Sequence, residues 1–299
     1  MSQSTSADAI PTPARDAVLA DFDGHLLLVG AGKMGGAMLE GWLAGGLPPG
    51  KVLVQDPAPP SDIAAHLERA GITAHAEAAE ALAAQSAEAT APFPTVAVIA
   101  VKPQLMAPVF PAVAQHLSPG TLIVSVAAGT PLSFFESHAA PNSAVVRAMP
   151  NTPAAVGRGI TICCPNAHTN ATQRATATAL LAAVGQVGWI EDEAQMDAVT
   201  GVSGSGPAYV FHLVECMAAA GVAAGLDAPL AEQLARATVA GAGELLHRSD
   251  ETATTLRENV TSPQGTTAAA LDVLMGDERL ERLMREAVAA AAARGRALG

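Results

Sequence analysis

Short apolar runs alternate with helical patterns along the first two thirds of the chain. A strand that is covered on both faces shows a continuous apolar run, so these runs predict buried parallel strands. Between them lie helical patterns such as 34–44 and 63–70. The repeated order strand–helix–strand predicts an α/β fold with a doubly wound, mostly parallel sheet. The predicted strands are 25–30, 52–56, 95–101, 121–126, 144–148, 159–164 and 187–191.

The pattern becomes purely helical after about residue 192. Runs at 208–225, 230–247, 266–274 and 278–296 are rich in Ala, Leu and Met and have a helical period, so an all-α domain is predicted to follow the sheet. We therefore expect a flexible tail over 1–22, a sheet domain over 23–193 and a helical domain over 194–299. Several of these helices are apolar nearly all round. This pattern is compatible with a partner chain and with a compact bundle.

Composition narrows the possible functions. The chain has 299 residues, 3% of them aromatic, and a net charge of −12 from 16 Lys+Arg and 28 Asp+Glu. A nucleic-acid partner is not expected, because such proteins carry basic patches. The first twenty residues lack the basic start and apolar core of a signal peptide. No membrane span is expected either, since the best candidate, 208–226, contains His212 and Glu215.

Cysteine and histidine spacing gives no metal site. Cys163, Cys164 and Cys216 form no C-x-x-C, and the eight histidines show no metal-ligand spacing. An odd cysteine count without a disulfide framework favours a reducing, cytoplasmic location. No G-x-S-x-G elbow is present, so a hydrolase is not supported.

A glycine motif, G-x-G-x-x-G, occupies residues 30–35 directly after a predicted strand and at the start of a helix. Gly30 permits a tight turn, Gly32 lets the backbone approach a pyrophosphate, and Gly35 lets helix and strand pack closely. The helix N-terminus attracts phosphate charge. Dinucleotide binding is the favoured interpretation, and a purely structural glycine turn is the alternative.

Asp56 ends the second predicted strand, where an acidic residue can accept hydrogen bonds from the adenosine ribose of NAD. A 2′-phosphate usually requires Arg or Lys there, and the next basic residue is Arg69. Asp56 could equally be a turn residue before Pro57. The loop 57–61 could offer N–H or hydroxyl groups to a 2′-phosphate, so both NADPH and NADH stay possible.

Two further turns are expected at the same sheet edge. Lys102 follows the predicted strand 95–101 and either faces the cofactor or lies in a solvated loop, while Pro103 gives a rigid wall. The segment 149–153, MPNTP, is a similar rigid edge or a polar turn between strands.

The helical half contains two more motifs. SGSGPAY at 203–209 opens a long helix, with Ser205 as a candidate cap and Pro207 in the first turn, and capping alone could explain it. NVTSPQGTT at 259–267 adds a cluster of hydroxyl groups and a glycine at another helix start. Free N–H groups with side-chain donors can bind a small carboxylate there, and pure capping is the alternative.

Taken in order, GAGKMGGAM, AVKPQ, AMPNTP, DAVTGVSGSGPAYVF and ENVTSPQGTTAAAL resemble the Δ1-pyrroline-5-carboxylate reductase family, from about residue 25 to the C-terminus. The resemblance implies a Rossmann domain followed by a helical dimerisation domain, with dimers that assemble further, commonly into decamers. It also implies reduction of 1-pyrroline-5-carboxylate to L-proline, the last step of proline biosynthesis, with NADPH or NADH.

The resemblance also assigns residues by position. It implies that one group of residues holds the pyrophosphate, a second group lines the cofactor and a third group binds the substrate. Thr267 of the third group orients the ring nitrogen, and Asn259, outside the three groups, lies near the nicotinamide. The family usually has Gly where Gln264 stands. The three groups are Gly30, Gly32, Lys33 and Met34; Val101, Lys102 and Pro103; and Ser262, Gly265, Thr266 and Thr267.

Two other classes share parts of this pattern. A β-hydroxyacid dehydrogenase has the glycine loop and a helical second domain, but it relies on a lysine in a helix of that domain. Here the lysines are Lys33, Lys51 and Lys102, all in the first half. A non-catalytic dinucleotide sensor would bind cofactor without turnover.

Overall fold

A computed structural model of the chain describes residues 19–85 and 95–297. The chain divides into two compact units, one that runs to Gly204 and includes the chain from Arg294, and one that spans Ser205–Ala293. Most of the predicted tail 1–22 lies outside the described residues. Its last part differs from the prediction, because Leu19 and Phe22 are buried in the core of the first unit, with 3% and 8% of their surface exposed.

Eight strands form one sheet within the described residues of the first unit, in the order β3-β2-β1-β4-β5-β6-β7-β8. All neighbouring pairs are parallel except β6 and β7, which are antiparallel. The predicted fold class is therefore confirmed. The strands are β1 Leu26–Val29, β2 Val52–Gln55, β3 Ala74–His75, β4 Val96–Ile99, β5 Leu122–Ser125, β6 Val145–Met149, β7 Gly159–Pro165 and β8 Gly185–Trp189.

Helices follow most of the strands, as the alternating pattern predicts. They are α1 Lys33–Ala44, α2 Ser61–Ala70, α3 Ala78–Gln85, α4 Met106–Ala114, α5 Leu132–His138, α6 Ala171–Ala182 and α7 Met196–Val199. The central strands are covered on both faces: every residue of β1 and β4 is buried. This explains why their sequences are continuous apolar runs.

The strand order places a ligand crevice at one edge of the sheet. Strand β1 lies between β2 and β4, so the chain leaves β1 and β4 towards opposite halves of the sheet. In open α/β sheets such a switch point opens a crevice at the carboxyl ends of the strands. The glycine motif, Asp56 and Lys102 all follow strands that end there.

The last segment of the first unit is an irregular helical run that begins at Glu193. It continues through α7 into a π-helix, Thr200–Gly204. Met196 is buried in the core of the first unit, and Arg147 donates to Glu193 at 2.8 Å. These contacts explain why the units divide after Gly204 rather than at the predicted boundary, 193/194.

The second unit is helical, as predicted. Its helices are α8 Gly206–Ala223, α9 Ala228–Arg248, α10 Ala253–Asn259, α11 Thr266–Met275 and α12 Arg279–Arg296, the end of which belongs to the first unit. Helices α8 and α9 pack together at Gly221, where an added Cβ would lie 3.2 Å from Cβ of Ala231. No residue of α8 is buried in the single chain. The compact-bundle alternative therefore does not hold for α8.

The helical run Glu193–Ala223 is long and apolar enough to cross a membrane by length and composition, with a mean hydropathy of 1.2. This differs from the expectation that no segment qualifies. The run also contains the π-helix described above, and its first residues belong to the sheet unit. An apolar helix that is uncovered in one chain is equally typical of a surface that a partner chain covers.

Candidate active site

The glycine loop has the geometry that a bound pyrophosphate requires. Gly30 has φ of +92° and donates its N–H to the Gln55 carbonyl at 2.8 Å, so the turn is tied to β2. A Cβ at Gly35 would lie 2.1 Å from the Gly30 oxygen, so this position requires glycine for close helix–strand packing. A Cβ at Gly32 would meet no atom within 4 Å. Open space therefore lies in front of this residue.

Helix α1 begins at Lys33 with no side-chain cap on its N-terminus. Its first-turn N–H groups, including those of Lys33 and Met34, have no intrahelical partner, and the positive end of the helix dipole adds to their attraction for an anion. Open space, free donors and a lysine fit the pyrophosphate of a dinucleotide. The roles of these residues remain predictions.

Asp56 does more than end a strand. Its Oδ2 accepts the Ala31 N–H at 2.7 Å, and its Oδ1 accepts the Ala58 N–H at 2.9 Å. The carboxylate therefore ties the glycine loop to the loop after β2 and also forms the predicted turn. Both interpretations of Asp56, a turn residue and a group at the cofactor crevice, are compatible with this position.

The turn after β4 lies against the glycine loop. A Cβ at Gly30 would lie 3.0 Å from the Ala100 oxygen and from the Val101 nitrogen. Val101 is half-buried, whereas Lys102 and Pro103 are exposed. The structure thus brings the two predicted cofactor segments of this unit together at one edge of the sheet.

The MPNTP turn, for which the sequence predicts a rigid edge or a polar turn, contacts the π-helical segment Thr200–Gly204. Asn151 donates from Nδ2 to the Ser203 carbonyl at 3.1 Å and accepts the Ile160 N–H at 3.0 Å. A Cβ at Gly204 would lie 2.7 Å from Cε of Met149. The turn therefore fixes the π-helical segment that precedes α8, and π-helical turns are frequent at functional sites.

Ser205 does not cap α8 as expected. It occupies the N-cap position, but its side chain makes no capping hydrogen bond, and its backbone is helical because the π-helix runs directly into α8. Pro207 lies in the first turn, as expected.

In the second unit, the candidate substrate segment forms a tight turn before a helix. The Gly265 N–H donates to the Ser262 carbonyl at 3.0 Å, and Gln264 has φ of +59°, in the left-handed region. Helix α11 begins at Thr266 and has no side-chain cap. The start of α11 therefore combines uncapped N–H groups with three nearby hydroxyl groups, those of Ser262, Thr266 and Thr267.

Asn259 is the last residue of α10. Its Nδ2 donates to Oε2 of Glu251 at 3.2 Å, and both side chains are exposed. Asn259 and the turn 262–267 are close in the chain, because only Val260 and Thr261 separate them. Glu251 is not among the site residues that the sequence predicts.

The adjacent cysteines of β7 are packing residues, not reactive groups. Burial raises the pKa of the Cys164 thiol to about 11, and the nearby Glu193 carboxylate adds to this rise. Burial also raises the pKa of Cys163. Both thiols therefore stay protonated, and they form no disulfide.

Comparison with known proteins identifies the family. A family model described as pyrroline-5-carboxylate reductase dimerisation matches residues 193–298. A curated pyrroline-5-carboxylate reductase of Pseudomonas aeruginosa is 40% identical over 270 residues, which cover 90% of this chain and 95% of that protein. The chain belongs to the pyrroline-5-carboxylate reductase family. The resemblance inferred from the motifs is confirmed.

Other pyrroline-5-carboxylate reductases agree. The enzyme of Pisum sativum is 36% identical over 263 residues, covering 88% of this chain and 92% of that protein. The structure of the family member from Coxiella burnetii matches with a TM-score of 0.83 and 30% identity, covering 92% of this chain and 98% of that chain. The Plasmodium falciparum structure, which has NADP bound, gives a TM-score of 0.74 at 28% identity over 93% of this chain and 98% of that one.

The family assignment also explains features of each unit. A model described as NADP oxidoreductase, coenzyme F420-dependent, matches residues 26–129 and confirms the predicted dinucleotide-binding oxidoreductase domain. The dimerisation model covers all of α8, whose apolar residues are uncovered in one chain. The chain therefore self-associates, as the apolar helices predict.

Proposed function

We propose that this chain reduces 1-pyrroline-5-carboxylate to L-proline with NADPH or NADH, the last step of proline biosynthesis. The observation that carries the proposal is the start of α11, where uncapped N–H groups lie beside three hydroxyl groups, one in the tight turn 262–265 and two directly after it. Such a helix start suits the single carboxylate of a small cyclic imine. The family assignment supports the same reaction.

The first unit binds the cofactor. Gly30, Gly32, Lys33 and Met34 hold the pyrophosphate through backbone N–H groups and the lysine charge, with Gly35 keeping the loop close to the sheet. Val101, Lys102 and Pro103 line the crevice, and Asp56 faces the adenosine ribose. Asn259 is the residue proposed for the nicotinamide end of the cofactor, as the family resemblance implies. When bound, the cofactor supplies a hydride from C4 of its nicotinamide ring.

The second unit binds the substrate. Ser262, Gly265, Thr266 and Thr267 hold the carboxylate, and the Thr267 hydroxyl forms a hydrogen bond with the ring nitrogen. A protonated imine is already electrophilic, so the chain needs to supply no strong acid. Most of the rate gain comes from holding the imine carbon at a near-attack distance in a site that excludes water.

Cofactor and substrate are both anions, whereas the chain has a net charge of −12. Local donors must therefore outweigh an unfavourable overall field. The first turns of α1 and α11, Lys33 and Lys102 supply this local positive potential.

The assembly and the location are part of the proposal. Dimers form through the helical unit and assemble further, into decamers, in the cytoplasm. The uncovered apolar surface of α8 and the three free cysteines support these two inferences. Light scattering of the purified chain gives the oligomer mass directly, and a dimer mass at all concentrations would limit the assembly to two chains.

A spectrophotometric assay tests the reaction. We expect loss of NADPH or NADH absorbance when 1-pyrroline-5-carboxylate is added. A β-hydroxyacid dehydrogenase would instead reduce the oxidised cofactor with 3-hydroxy acids. A sensor would bind the cofactor and turn over neither substrate, so either of these results would exclude the proposal.

A further inference from the structure

We propose that the adenosine end of the cofactor site selects NADH over NADPH, and that Asp56 is the residue that determines this selectivity. The inference rests on the proposed function, because it concerns the same cofactor site. NADPH differs from NADH by a phosphate on the 2′ oxygen of the adenosine ribose, so selectivity depends on whether that position meets acceptors or donors.

The Asp56 carboxylate is held rigidly. The Ala31 N–H of the glycine loop donates to Oδ2, and the Ala58 N–H of the loop after β2 donates to Oδ1. A carboxylate has about four lone-pair sites, so two remain for ribose hydroxyl groups. A 2′-phosphate lacks the hydroxyl donor that the ribose of NADH offers, and it carries negative charge, as the Asp56 carboxylate does. Binding it beside a fixed carboxylate costs free energy by repulsion.

The loop after β2 lacks the free backbone N–H donors that a 2′-phosphate would need. Of the four residues 57–60, three, Pro57, Pro59 and Pro60, have no backbone N–H. The fourth, Ala58, already donates its N–H to Asp56. The expectation that this loop could present N–H groups to a 2′-phosphate is therefore wrong for residues 57–60. Ser61 remains as a donor at the start of α2, with the acidic Asp62 beside it in the first turn.

The chain also has few positively charged side chains near the loop after β2. Between Lys51 and Lys102 the only Lys or Arg is Arg69. Arg69 lies in the last turn of α2, whereas the loop joins the first turn. At 1.5 Å per residue, Arg69 lies about 12 Å along the helix axis from Ser61, where the loop joins α2.

Gln55, the residue before Asp56, adds another acceptor. Its Nε2 donates to the Ala76 carbonyl at 2.8 Å. Its Oε1 is buried and has no hydrogen-bond partner among the described residues. The NH₂ group of the amide is therefore hydrogen-bonded and its oxygen is not. The unpaired oxygen adds negative potential at the end of β2.

Direct binding tests the selectivity without relying on turnover. Fluorescence titration of the purified chain should give a Kd for NADH about tenfold or more below that for NADPH. In Asp56→Asn, which is nearly isosteric and uncharged, the ratio of the two Kd values should fall to near one. The ratio is informative even if the variant loosens the glycine loop, because such loosening weakens both cofactors together.

Ala58→Arg provides a second variant that does not disturb Asp56. It keeps the Ala58 N–H that donates to Asp56 and adds a cation at the loop. We expect the Kd for NADPH to fall several-fold with that for NADH nearly unchanged. Ala65→Arg, on the exposed side of α2, is the matched control and should change neither Kd.

Equal or tighter binding of NADPH by the unmodified chain would overturn the proposal, and so would an unchanged ratio in Asp56→Asn. These outcomes are separate from the fate of the proposed function. Turnover of 1-pyrroline-5-carboxylate with NADPH preferred would refute only the selectivity. Selective NADH binding with no turnover would refute only the reaction.

Discussion

Thr267 is the side chain on which the proposed chemistry depends most. It lies in the first turn of α11 and is only half-exposed. We expect Thr267→Ala to lower kcat/KM for the imine roughly 10- to 100-fold, the cost of one hydrogen bond to a charged group. The Kd for the cofactor should change little.

Thr267→Ser is the control for this prediction, because it keeps the hydroxyl and should retain most of the activity. Steady-state kinetics together with cofactor titration separate the two effects. Unchanged kinetics in Thr267→Ala would remove Thr267 from the mechanism.

Gln264 stands in a backbone conformation that usually belongs to glycine or asparagine. Its φ of +59° places it in the left-handed region, within the turn that precedes α11. Replacement by valine, which is β-branched, should destabilise the turn by about 1–2 kcal/mol and raise KM for the imine.

Gln264→Asn is the matched variant, since asparagine adopts the left-handed region more readily. It should bind the imine at least as well as the unmodified chain. Equal KM values for the valine and asparagine variants would show that the shape of this turn does not affect substrate binding.

At the level of elements, the MPNTP turn connects the sheet to the π-helix that precedes α8. Asn151→Ala removes the donor to Ser203 and leaves the Ile160 N–H without its acceptor, so we expect a loss of about 1–3 kcal/mol in the free energy of unfolding. Urea unfolding followed by circular dichroism measures this loss.

Thr152→Ala, at the exposed next position, should have little effect. Asn151→Asp keeps an acceptor for Ile160 but turns an oxygen towards the Ser203 carbonyl, so it should restore only part of the stability. Equal losses in Asn151→Ala and Thr152→Ala would contradict the role of the turn.

The sequence predicts those elements that have a long or distinctive pattern. The buried strands are continuous apolar runs, and the glycine loop has a motif with a fixed place between strand and helix. Strand β3 consists only of Ala74 and His75, too few residues to show a period. Helix α10 has only seven residues, and its local signal is the Thr252 side chain that caps the Thr255 N–H.

Other features of the site depend on tertiary contacts that no local pattern contains. The bond between Asp56 and the Ala31 N–H joins residues that are 25 positions apart, and it forms because β1 and β2 are paired. The hydrogen bond of Asn151 crosses 52 positions to a π-helical segment. The sequence predicts where the cofactor and substrate segments lie, but not which of their polar groups already form hydrogen bonds within the chain.

At the scale of the whole molecule, the helical unit requires a second copy. Phe211 of α8 is 63% exposed in the single chain, and none of its helix is buried. Phe211→Glu would place a charge on the surface that the dimerisation domain provides, at a cost of several kcal/mol if that surface is covered. We expect the dimer Kd to rise at least about 100-fold.

Sedimentation velocity over a range of concentrations measures this change, with Ala65→Glu on the exposed side of α2 as the control. The same charge at that position should leave the association state unchanged. If Phe211→Glu still sediments as the unmodified chain does, α8 is not the dimer surface. If it becomes a monomer and loses stability as well, the apolar helical unit depends on association for its fold, because one chain cannot bury it.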